Sequence, residues 1–165
     1  MKIKDLVLIG LYVSLFIVLD VFFNYFELLQ MPQGGSLRVS IIPLIISSYH
    51  LGYKKSLFVC ILSVLLMIVT GPIYTVDIFS FLLDYVVSFG VFGFCCLFKN
   101  YKNFYIGILI TCLISLLSLT LSGYLYWNYP FLASLSYNAS YMIPTTILNL
   151  IVVPIIYNII KPILK

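Results

Sequence analysis

"LVLIGLYVSLFIVLDVFFNYF", residues 6–26, carries one charge, Asp20, in an otherwise apolar run. A helix crossing the hydrocarbon core of a bilayer needs about 20 such residues. Lys2 and Lys4 precede the run, as in a signal peptide. The run is longer than a signal h-region and no small-residue cleavage site follows it, so it reads as a retained span.

The rest of the chain agrees with that stretch. Of 165 residues, 63% are hydrophobic, 17% aromatic and 8% charged, and the mean hydropathy is +1.16. A soluble domain carries about 25% charged residues to wet its surface. This chain cannot, so its class is an integral membrane protein, and residues 1–165 read as a single transmembrane domain. Cys60, Cys95, Cys96 and Cys112 all fall inside apolar runs, with no CxxC spacing and no neighbouring histidine. They read as small buried hydrophobes, with neither a disulfide framework nor a metal site indicated.

Apolar runs and their breaks give six segments, at 6–26, 37–53, 55–71, 76–98, 104–127 and 134–160. No strand alternation interrupts them. Only helices or closed barrels satisfy a lipid-exposed backbone, so the predicted fold is all-α, a six-helix transmembrane bundle. Segments two and three are short and are read as tilted, broken or shielded by neighbours. The eight lysines fall at the chain ends, at 54–55, and at 99 and 102. With both termini cytoplasmic, all eight lie inside, as the positive-inside rule requires. The net charge of +4 is thus a topology signal and gives no reason to expect a nucleic-acid partner.

Few other charges remain. Asp5 and Glu27 read as solvated helix-end residues. Asp77 opens segment four, where a carboxylate suits a helix N-terminus, so a cap is favoured over a ligand contact. Asp20 is read equally as a second polar contact or as interfacial. Asp84 lies roughly 13 Å into segment four at about 1.5 Å per residue. An ionisable group at that depth is costly and faces a bundle interior or cavity. Its alternatives are a packing pair, with Arg38 or a hydroxyl, and a ligand contact, and the second is favoured. His50 is a lone histidine beside a lysine pair and reads as interfacial.

Trp127 and the tyrosines at 124, 126, 129, 137 and 141 form an aromatic belt in the simplest reading. Asn138 does not belong to such a belt. The topology brings it, Trp127, the outer half of segment four and the break "MPQGGSLRVSIIP" (31–43) to one side. The expected result is an outward-facing, aromatic-walled pocket with one acidic group, suited to a flat cationic small molecule. No GxSxG, HExxH, P-loop or paired acidic lipid-phosphotransferase motif is present. No catalytic residue, cofactor or metal is therefore expected, and the chain cannot power transport by itself.

"MPQGGS" (31–36) with Pro43, "LLDYVVSFGVFG" (82–93), "SGYLYW" (122–127) and "SLSYNASYMIP" (134–144) together resemble the substrate-binding S components of energy-coupling factor (ECF) vitamin transporters, of the thiamine type. The resemblance covers nearly the whole chain. It implies six helices in a bacterial plasma membrane, capture of thiamine or a close relative, and docking on a transmembrane coupling subunit with two ATPase subunits. It implies substrate contacts at Asp84, Tyr85, Gly123, Trp127 and Asn138. It further implies a lid or pocket wall at Gln33, Gly34, Gly35 and Ser36, and partner docking through Gly10 and Ser14. Two positions depart from the family pattern: Leu119 stands where a pocket histidine is usual, and Ala133 where a tyrosine is usual. An S component for another vitamin thus stays open, as do, from other classes, a membrane lipid-modifying enzyme and a non-catalytic scaffold.

Overall fold

The computed structural model describes residues 2–26, 31, 34–71, 73–101 and 105–162. Six helical segments follow one another: α1 (Ile3–Tyr25), α2 (Ile41–Leu51), α3 (Tyr53–Thr70), α4 (Ile78–Leu97), α5 (Ile106–Leu125) and α6 (Phe131–Ile160). All except α2 are long and apolar enough to cross a membrane. Their outward faces are apolar: Leu11, Val18, Leu65, Val69, Leu117, Ile147 and Ile155 are all exposed. A monomeric soluble protein does not present apolar surface on that scale, whereas lipid solvates it.

The second segment behaves differently from a simple span. Residues 37–40 are not helical, and α2 has 11 residues, about 16 Å at 1.5 Å per residue. Every residue from Ile41 to Ser48 is buried, so α2 is a core helix surrounded by α1, α3, α4 and α6. Pro43 sits in its first turn, where a missing N–H costs no helical bond. The start of the helix is delayed because Arg38 is held by tertiary bonds. Its N–H reaches Thr145 Oγ1 at 3.1 Å and its guanidinium reaches Ser88 Oγ at 2.6 Å. Gly52, at φ +80°, alone joins α2 to α3, a left-handed conformation that glycine adopts without a Cβ penalty.

Two helices are irregular. In α4 a π-helical turn, Leu82–Val87, passes into a 3₁₀ stretch, Val91–Leu97. Ser118 of α5 donates to the Leu83 carbonyl inside the widened turn at 2.7 Å. At its start, Asp77 caps the helix as expected, accepting from the Ser80 N–H at 2.7 Å. α6 has 30 residues and contains Pro144 and Pro154. Each proline removes one helical donor and favours a bend.

Hydrogen-bonding groups are turned inward. Ser47 meets Ser56 at 2.6 Å and Ser88 meets Ser115 at 3.0 Å. Ser48 donates to the Gly93 carbonyl at 2.8 Å and accepts from the Cys96 N–H at 3.0 Å, tying α2 to α4. At one end of the bundle Lys55 pairs with Asp5 at 2.8 Å, so Asp5 is engaged rather than simply solvated. Tyr157 donates to the Tyr49 carbonyl and Tyr105 to Asn158, both at 3.1 Å. The starts of α1, α3 and α5 and the ends of α2 and α6 therefore meet at this lysine-bearing end.

Close backbone approach makes one glycine indispensable. A Cβ on Gly107 would collide with the Cys95 carbonyl oxygen and meet the Tyr49 hydroxyl at 2.9 Å, whereas a Cβ on Gly10 would meet nothing within 4 Å. Gly107→Ala should thus destabilise the bundle by about 1–3 kcal/mol, the usual range for overpacking. Thermal unfolding in detergent should show a clear loss for Gly107→Ala and none for Gly10→Ala.

Candidate functional site

The non-helical stretch before α2 explains the site. Non-helical backbone at membrane depth is tolerated only when buried in protein or lining a cavity. Residues 34–38 lie against α4 and α6. There Gly34, Gly35, Ser36 and Arg38 form one wall of a cavity of about 820 Å³. The other walls come from α1 (Asp20, Asn24), α4 (Asp84, Tyr85, Phe89), α5 and the residues after it (Leu119, Gly123, Trp127), and α6 (Ala133, Ser134, Asn138, Tyr141). Its volume lies in the range of small-molecule sites, about 300–1,000 Å³.

Asp84 stands on the π-helical turn, half-buried. Single π-bulges inside α-helices recur at functional sites because they re-aim side chains. Ser122 donates to Asp84 Oδ2 at 2.8 Å, and Trp127 lines the same cavity. No ion pair joins Asp84 to Arg38 among the described residues. The guanidinium instead lies 4.6 Å over the Phe89 ring and 5.8 Å over the Tyr141 ring. Such cation–π contacts hold a cation without a carboxylate partner.

Asp20, read equally as a second polar contact or as interfacial, lies in the cavity wall as a second carboxylate. It accepts from Ser40 Oγ and from Asn24 Nδ2, both at 3.1 Å. Asp20 and Asp84 against Arg38 leave the described lining residues with a formal balance of one negative charge.

The remaining expected residues take specific positions. The Tyr85 hydroxyl accepts the Tyr74 N–H at 3.0 Å, and its ring stacks between Phe81 at 5.3 Å and Phe89 at 6.4 Å. Asn138 is buried; it donates to the Ser134 carbonyl at 2.9 Å and accepts from the Tyr141 hydroxyl at 2.5 Å. Gly123 lets α5 approach α6 closely, since a Cβ there would collide with the Ser134 hydroxyl. Leu119 and Ala133, the two departures from the family pattern, both line the cavity. Gln33 lies outside the described residues. Gly10 and Ser14 are exposed on α1, with Ser14 Oγ donating to the Gly10 carbonyl at 2.8 Å. They lie away from the cavity lining.

Sequence reasoning missed Arg38, Tyr74 and Tyr141 as lining residues. Tyr141 is 5% exposed and Tyr137 also lines the cavity, so these two are not the belt residues they resembled. Arg38 carried a signal, being the one arginine of the chain in a polar break.

The bundle and its cavity define a multi-pass membrane protein with a small-molecule-sized cavity. A family model described as thiamine transporter protein (Thia_YuaJ) matches residues 6–165. The chain belongs to that family, as a thiamine-type S component in the cell membrane, and the family is one of transporters rather than of enzymes. It is similar to the thiamine transporter ThiT of Bacillus subtilis (strain 168), 28% identical over 166 aligned positions that cover 86% of this chain and 83% of the relative.

A bond fastens the glycine segment to the far wall: the Gly35 N–H donates to the Tyr137 hydroxyl at 3.1 Å. A net hydrogen bond contributes about 1 kcal/mol. Tyr137→Phe should accordingly speed amide exchange at Gly35 by roughly fivefold while amides of α2 keep their protection, as read by hydrogen–deuterium exchange.

Proposed function

We propose that the chain is the substrate-capture subunit of an ATP-driven uptake transporter and binds thiamine in the cavity between α4, α5 and α6. The observation that carries this reading is the half-buried Asp84 carboxylate, held by Ser122 beside Trp127 in an aromatic-walled cavity. Thiamine is a monocation built of two flat rings joined by a methylene. A cavity with a formal balance of one negative charge complements it, and Trp127 and Tyr85 offer ring faces for stacking. Asp84 is the charge partner, with Asn138 and Gly123 completing the wall. Asp20 adds a second attraction.

Gly34, Gly35 and Ser36 act as a lid. Gly34 has φ +89°, a conformation that side chains rarely tolerate, so this segment can close over a ligand as mobile site loops do. The cavity opens outward and both termini face the cytoplasm, the orientation in which every lysine falls inside. Gly10 and Ser14 on the bare face of α1 dock the coupling subunit, whose two ATPase subunits drive reorientation of the bundle. Small residues at this spacing permit close helix approach in lipid.

A specific observation favours a second reading of the ligand. Leu119 and Ala133 present apolar surface to the cavity where the thiamine-type pattern has polar side chains. Another vitamin bound by an S component of the same design is the alternative.

Trp127 is the chain's one tryptophan, so its emission reports the cavity directly. Thiamine should quench it in the purified protein, and Asp84→Asn should abolish the quench at concentrations that saturate the unmodified chain. If thiamine gives neither quenching nor a calorimetric signal while another B vitamin does, the substrate assignment fails. Separately, Gly10→Leu with Ser14→Leu should prevent co-purification of the coupling subunit and leave thiamine quenching unchanged.

A further inference from the structure

A second cavity, of about 580 Å³, opens at the lysine-bearing end of the bundle, between the start of α1 and the α2–α3 junction. Lys2, Lys4, Lys55 and His50 line it, with Asp5 as its one acid among the described residues. That acid is already engaged: Lys55 Nζ sits 2.8 Å from one carboxylate oxygen and the Lys2 N–H donates to the other at 3.1 Å. Lys2 and Lys4 thus share a concave surface with no further carboxylate among the described residues. His50 is fixed there by the Tyr12 hydroxyl, 2.9 Å from Nδ1, leaving Nε2 as the ring nitrogen available to a ligand.

We infer that this cavity binds a phosphate group. Several tetrahedrally arranged acceptor oxygens and a full negative charge match two ammonium groups and a histidine nitrogen better than a lone carboxylate does. Basic pockets between transmembrane helices accept phospholipid headgroups in this way. An anionic phospholipid also has a place for its chains: α1 leads from the cavity into exposed apolar surface at Ile3, Leu6 and Val7. The cavity lies at the opposite end from the Asp84 site, so its occupancy is independent of the transported ligand.

The test uses the full chain in neutral detergent, titrated in parallel with phosphatidylglycerol, phosphatidylcholine and inorganic phosphate. Retained lipid is read by native mass spectrometry and stabilisation by thermal shift. Phosphatidylglycerol should bind in preference to phosphatidylcholine, and Lys2→Gln with Lys4→Gln should weaken it roughly 30-fold, the effect expected of two lysines near an anionic surface. A charge-matched control, Lys54→Gln with Lys161→Gln, removes two lysines outside the cavity and should change binding less than twofold. Unchanged thiamine quenching of Trp127 verifies that each variant is folded. A response to inorganic phosphate alone keeps the phosphate site and assigns it a soluble ligand. Equal weakening in both double variants, or no binding of phosphatidylglycerol or phosphate by the unmodified chain, overturns the site.

Discussion

A bilayer interior offers no water to hydrogen-bond an exposed polar group, and this structure depends on that constraint. Most serines, threonines and asparagines inside the spans find a partner within the protein, whereas the Ser63 hydroxyl and the Asn149 side-chain carbonyl oxygen are buried without one. The result inverts a soluble domain: leucine, isoleucine and valine cover the outside, while Ser47, Ser48, Ser88, Thr111, Ser115, Thr145 and Asn149 are fully buried. Because lipid tails are as apolar as leucine, apolar burial alone gives the helices no reason to associate. Inter-helix bonds such as Ser88–Ser115 and Ser48–Gly93, and the close contact at Gly107, supply that specificity.

The same constraint locates the site. A stretch of chain that leaves the helix before α2 needs protein or a cavity beside it, and here it has both. Arg38, anchored by Ser88 and Thr145, fixes that stretch against α4 and α6. Opposite it, the π-helical turn carries Asp84, with Ser118 serving a carbonyl of the widened turn and Ser122 serving the carboxylate. Two serines on one face of α5 thus support a local irregularity that would otherwise be costly. The π-helical turn of α4 and the placement of its carboxylate are one feature.

Helix number, helix class and the lysine-bearing end were legible in the sequence, because each rests on composition and on runs of about 20 residues. Asp77 was legible as a cap for the same reason: its effect is local. The burial of α2 was legible only as one of three readings of a short segment, since an apolar run reads alike whether it meets lipid or protein. Asp20 reads equally as a polar contact or as interfacial, and the roles of Arg38 and Tyr141 were not legible. Those depend on which helices lie opposite, and a tyrosine near a helix end has the same local pattern in a belt as in a cavity wall. The π-helical turn left no sequence mark at all, because nothing in "LLDYVV" (82–87) distinguishes it from ordinary α-helix.

The central claim is that the transported cation sits against Asp84. It is tested most directly by a solid-state NMR dipolar distance between ¹⁵N-labelled thiamine and ¹³Cγ of aspartate in the reconstituted protein, with Asp84 assigned by substitution. The account predicts a ligand nitrogen within about 4–6 Å of the Asp84 carboxylate, the range over which opposite charges stabilise each other. Thiamine bound at full occupancy with no coupling to Asp84 would contradict it.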